Sequence, residues 1–87
     1  MSDPAYRNFE SYEGEIEGSS TITFNKKSRH IMLMNDSNHD DLQFRFTTAE
    51  AWGTLKASET LSLNLTEEKI ILRSVSDAPT YRLWVFG

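Results

Sequence analysis

At 87 residues, with nine basic and thirteen acidic side chains, a net charge of −4 and no cysteine, the chain has room for one small domain. Such a domain has a thin core. The composition excludes disulfide staples and thiolate chemistry, and no apolar run approaches the ~20 residues of a membrane span.

Residues 1–18 are read as an extended N-terminal arm. Residues 1–6 have neither the basic start nor the apolar run of a signal peptide, so synthesis and folding in the cytoplasm are expected. Asp3, Glu10, Glu13, Glu15 and Glu17 face only Arg7 in this region, and the remaining chain is charge-balanced. A body without a broad positive field argues against general nucleic-acid binding. Pro4, Gly14, Gly18 and the glutamates oppose a continuous helix. Tyr6, Phe9 and Tyr12, spaced three apart, give the arm aromatic rings. Such an arm frays, lies on its own domain, or docks on a neighbouring subunit.

From Ser19 to Gly87 the pattern has period two, which makes this a β domain. Thr21, Ile22, Thr23 and Phe24 alternate polar with apolar. After the turn at residues 25–28, with the basic group Lys26, Lys27, Arg29 and His30 read as a solvated loop, comes the apolar run 31–34. Residues 35–40 are turn formers. Leu42, Phe44 and Phe46 alternate with Gln43 and Arg45. Residues 47–52 are expected to hold one helical turn capped by Thr48, and 53–56 a short strand. Residues 60–65 alternate again, 69–73 form a further strand, and 76–79 turn the chain into the last one.

In that last strand Tyr81, Leu83 and Val85 face one way and Trp84 and Phe86 the other. Six or seven strands with short connections predict an all-β fold, a small antiparallel sandwich of immunoglobulin-like or jelly-roll-like type over residues 19–87. The predicted core is Ile22, Phe24, Ile31, Leu33, Leu42, Phe44, Phe46, Leu61, Leu63, Leu65, Ile70, Leu72, Tyr81, Leu83 and Val85.

No residue set specifies a reaction. Asp36, Asn38 and Asp40 have the first spacings of a calcium loop, but Asp41 replaces its glycine and Thr47 its closing glutamate. His30 and His39 lack partners for zinc or for nucleophilic catalysis. Glu13, Glu15 and Glu17 read as a charged strand edge that discourages pairing with other sheets, in place of a glycosidase pair. Neither a catalytic residue nor a metal or cofactor is therefore expected.

Two surface readings remain. Trp52, Tyr81 and Trp84 are candidates for a sugar-stacking platform. Met32, Met34, Trp84 and Phe86 lie opposite the core faces of their strands, and with Tyr6, Phe9 and Tyr12 they are candidates for a subunit interface, since aromatics and methionine are enriched at interface cores.

A resemblance adds to this. Asn35-Asp36-Ser37, Gly53-Thr54-Leu55, Glu59-Thr60-Leu61-Ser62-Leu63, Ile70-Ile71-Leu72-Arg73-Ser74 and Tyr81-Arg82-Leu83-Trp84 occur in an order that resembles small β-sandwich structural proteins of tailed bacteriophage virions. It covers roughly residues 30–87. It implies a non-enzymatic virion component, first a capsid decoration or minor head protein and second a tail or baseplate protein. The implied partners are copies of itself and other virion proteins, without membrane or general nucleic-acid binding. A carbohydrate-binding module is the alternative of another class.

Overall fold

The computed structural model describes residues 9–75 and 77–87. Among these residues it has eight strands and no helix: β1 (Phe9–Glu15), β2 (Ser19–Thr23), β3 (His30–Asn35), β4 (Leu42–Arg45), β5 (Gly53–Leu55), β6 (Thr60–Leu63), β7 (Lys69–Ser74) and β8 (Thr80–Phe86). They form two four-stranded sheets. Sheet A has the order β1-β8-β3-β6 and sheet B the order β2-β7-β4-β5. Every paired neighbour is antiparallel.

The pairing has a simple rule. β1 pairs β8, β2 pairs β7, β3 pairs β6 and β4 pairs β5, as in one long hairpin folded at the β4–β5 turn. Rolling that hairpin adds the pairs β3–β8 and β4–β7. The result is a jelly roll, the second of the two sandwich types expected.

Alternation along the strands fills the space between the sheets. Ile31, Leu33, Leu42, Ile70, Leu72, Leu83 and Val85 are at most 1% exposed. All fifteen predicted core residues lie in this cluster or pack against it. The structure adds Ile16 and Leu55, which close its ends, and Ile71, which is buried on the outward side of sheet B beside Arg45.

Two polar side chains are buried at opposite ends of β3. Ser28 Oγ donates to Leu65 O at 2.7 Å and accepts from Glu67 N at 2.9 Å. Asn35 Nδ2 donates to Asp40 O at 2.7 Å and to Leu55 O at 2.9 Å, and its Oδ1 accepts from Ser37 N and Ser37 Oγ. Asn35 thus ties the end of sheet A to β5 of sheet B.

Two expectations are corrected. The arm assigned to residues 1–18 does not extend over residues 9–15. These form β1, the edge of sheet A, in register with β8 from Phe9↔Phe86 to Glu15↔Thr80. The reason is that β8 offers ladder groups on both sides, and that Tyr12 and Ile16 have a core to enter. The chain leaves β1 through Gly18, whose φ of 76° favours glycine. The domain therefore includes residues 9–18. The helical turn expected at residues 47–52 is also absent. Glu50 Oε1 accepts from Phe46 N and Thr47 N at 2.8 and 3.0 Å, which fixes a tight non-helical turn without Thr48 as cap.

Candidate functional site

The outward faces of the two sheets differ in chemistry. On sheet A, β3 and β8 are adjacent, and their registers set Met32 opposite Trp84, His30 opposite Phe86 and Met34 opposite Arg82. Met32, Met34, Trp84 and Phe86 thereby form one apolar stripe along the two central strands, each of them half-buried. The core is complete without them. Ser11, Glu13 and Glu15 of β1 border the stripe on one side, and Thr60 and Ser62 of β6 on the other.

Polar groups organise its rim. His30 Nδ1 is 2.6 Å from Asn64 Oδ1, an acceptor, so the proton sits on Nδ1. The Ser62 hydroxyl lies 2.8 Å from Nε2, within hydrogen-bond distance. The imidazole is thus engaged at both nitrogens, and it lies 5.9 Å from the Phe86 ring. The Arg82 guanidinium stands 5.9 Å from the Trp84 ring and 3.9 Å from Glu13 Oε1. Both partners of that ion pair are solvated, so it contributes little to stability.

Sheet B presents the opposite sign. Trp52 receives the guanidiniums of both Arg45 and Arg73, at 4.1 and 4.2 Å from its ring centroid. Arg73 Nε donates to Gln43 Oε1 at 2.6 Å, and Gln43 Nε2 donates to Thr54 Oγ1 at 3.1 Å. Arg45 Nη1 donates to Thr48 O and Glu50 O. Lys69 lies on the same face as Arg73, four residues along β7.

The other candidates separate. Tyr81 is buried against the core, Trp84 faces out from sheet A and Trp52 out from sheet B, so the three do not form a sugar-stacking platform. Tyr12, expected at a subunit interface, turns inward instead, with its ring 6.4 Å from that of Phe24. Burial, then the hydrogen bond to Glu10 and the charge of Glu10, push its phenol up to about 12. Tyr81 is raised by burial as well. Tyr6 and the side chain of Phe9 lie outside the described residues. Asp36, Asn38 and Asp40 belong to the loop that Asn35 organises, and among the described residues no three His, Cys, Asp or Glu side chains converge as metal ligands. His39 is exposed beside Asp40.

Sequence reasoning did not find the Arg45–Trp52–Arg73 cluster. The alternation in residues 42–46 and 69–73 puts both arginines outward, but nothing local says that β4 and β7 are neighbours.

No protein-family model matches this chain, and no curated protein does. Among solved structures it is similar to a cupin-2 domain containing protein from Shewanella frigidimarina. The two are 11% identical with a TM-score of 0.58, over 93% of this chain and 72% of the other. That likeness agrees with the jelly-roll fold, and a shared fold does not carry a shared site.

Proposed function

We propose that this chain is a structural subunit that works by packing against copies of itself. Its setting would be a bacteriophage virion, first as a capsid decoration or minor head protein and second as a tail or baseplate component. The observation that carries the reading is the stripe of Met32, Met34 and Trp84 on a sheet whose core is already closed. Outward strand positions need only be compatible with water, and β6 of the same sheet meets that need with Thr60 and Ser62. Apolar side chains at the centre of the face lose surface to water only when something covers them. The sequence resemblance over residues 30–87 supports the virion setting, and viral capsid domains are among the users of the jelly roll.

The test is sedimentation velocity over a wide concentration range, with Trp84→Ala beside the wild type, followed by immuno-labelling of particles. The wild type should self-associate and label particles. The variant should stay folded and lose both properties. A wild type that remains monomeric at millimolar concentration and never joins a particle would defeat the proposal.

A further inference from the structure

We infer that the outward face of sheet B is the receptor for the outward face of sheet A on a second copy, so that assembly runs head to tail. The inference rests on the self-packing reading above and identifies the second half of the contact.

The first ground is charge. The outward positions of sheet B hold Arg45, Lys69 and Arg73, and no acidic residue occupies an outward position on its four strands. This occurs on a chain of net charge −4. Among the described residues no carboxylate lies within ion-pair distance of Arg45 or Arg73. Glu50, whose carbonyl accepts from Arg45 Nη1, directs its Oε1 to Phe46 N and Thr47 N. Among the described residues, two guanidiniums on one indole therefore have no counter-ion.

The second ground is preorganisation. Gln43 and Thr54 orient Arg73, and two loop carbonyls orient Arg45. Arg45 Nε is buried and has no acceptor. Guanidiniums held in this way suit planar recognition of carboxylates.

The third ground is the match to sheet A. Glu13 and Glu15 share the outward face of β1, and residues two apart on a strand are separated by about 7 Å. The guanidinium carbons of Arg45 and Arg73, each about 4 Å from one centroid, are at most about 8 Å apart. Among the described residues Glu15 has no ion-pair partner, and Glu13 has only the long contact to Arg82. Docking the faces sets two carboxylates against two guanidiniums and lays the Met32–Trp84 stripe over Ile71 and Trp52. A contact of two A faces would leave the sheet B cations unanswered. A nucleic-acid ligand fits less well, because guanidiniums already stack on the Trp52 ring that bases would need.

A contact between unlike faces does not close at two copies. It continues as a row or closes as a ring. A four-stranded face of this length covers about 400 Å² per partner, at the low end for specific interfaces, so each contact is weak and gains strength by repetition.

Two variants and their mixture test this. One carries Glu15→Lys and Trp84→Ser and keeps an intact B face. The other carries Lys69→Glu and Arg73→Glu and keeps an intact A face; Lys69→Glu alone serves as its milder form, and circular dichroism verifies folding. In sedimentation velocity at roughly 0.5 mM, each variant alone should associate at least about tenfold more weakly than the wild type, and the equimolar mixture should form a heterodimer that grows no further. If the B-face variants associate as the wild type does while the A-face variant does not, the contact joins two A faces. Head-to-tail packing is then overturned while self-packing stands. A wild type monomeric under all conditions removes both. Single-stranded DNA bound at low salt by the wild type and not by the Lys69→Glu, Arg73→Glu variant overturns the choice of a second copy.

Discussion

Asn35 is the side chain on which the closure of the sandwich depends most directly, and Asn35→Leu isolates its polar part. The two side chains are similar in size, so the substitution removes hydrogen bonds with little change of volume. Asp40 O loses Nδ2 but keeps Ser37 Oγ at 2.9 Å, now freed from Asn35. Ser37 N, on a partly buried loop residue, can turn to water. Leu55 O loses its Asn35 donor at a residue that is 5% exposed. The three bonds lost, from Nδ2 to Asp40 O and to Leu55 O and from Ser37 N to Oδ1, contribute about 1 kcal/mol each, which totals about 3 kcal/mol. A chain of this size has a margin of about 4–13 kcal/mol. The melting temperature should fall by about 12–24 °C in differential scanning calorimetry. Asn35→Asp sharpens the test. It removes both donations and sets a carboxylate against Asp40 O and Leu55 O, so the folded state raises the pKa of the introduced acid. Its stability should be highest below the ordinary carboxylate range and fall as pH rises through the raised value. A loss under about 4 °C for Asn35→Leu, or an Asn35→Asp variant whose deficit is the same at pH 4 and pH 7, would refute the account of Asn35 as a buried polar tie.

Two further outcomes are expected. At Gly53 an added Cβ would stand 2.6 Å from Phe44 Cζ and 2.8 Å from Cε1, because the ring covers the glycine across the β4–β5 pair. Overpacking costs about 1–3 kcal/mol and loss of glycine's unfolded freedom returns about 0.4–1 kcal/mol, so Gly53→Ala should lower the melting temperature by several degrees in the same calorimeter; an unchanged value would mean that the ring yields freely. Tyr12 ionises at about 12 in the fold against 10.0 as a free phenol. Its contribution is complete below pH 10 and disappears as pH climbs through about 12. Urea midpoints measured from about pH 9 to about pH 11.5 should decline more steeply for the wild type than for Tyr12→Phe, and equal slopes would contradict this.

The sequence was most legible where one strand suffices to read it. Alternation along the strands placed all fifteen predicted core residues in the cluster or against it, because inward and outward positions follow from period two whatever the partner strand. Pairing was not legible. β1 lies 77 residues from its partner at Phe9↔Phe86, so residues 9–15 read alone as an acidic arm. Their outward positions include Glu13 and Glu15, and Tyr12 seemed a ring without a pocket. The same limit hid the guanidinium cluster and left the three candidate sugar-binding aromatics looking like neighbours. Asn35 read as one turn former among several, since its burial depends on β5 arriving beside the end of β3.

The two outward faces follow from a single constraint. A two-sheet domain exports every second residue of every strand, so its outward sheet area is about as large as its inward area. Solubility could be met by the same polar residues throughout, as on β6 with Thr60 and Ser62. It is not met so on the central strands. In sheet A, β3 and β8 export Met32, Met34, Trp84 and Phe86; in sheet B, β7 and β4 export Lys69, Arg73 and Arg45. Central strands are shielded on both sides by their neighbours, so a bulky or charged side chain there stands on a rigid, fully paired ladder and loses little conformational freedom on contact. That is where an interface costs least to preorganise. The apolar stripe and the cationic cluster therefore occupy corresponding positions on opposite sides of one domain, and repeating the domain along that axis brings each against the other.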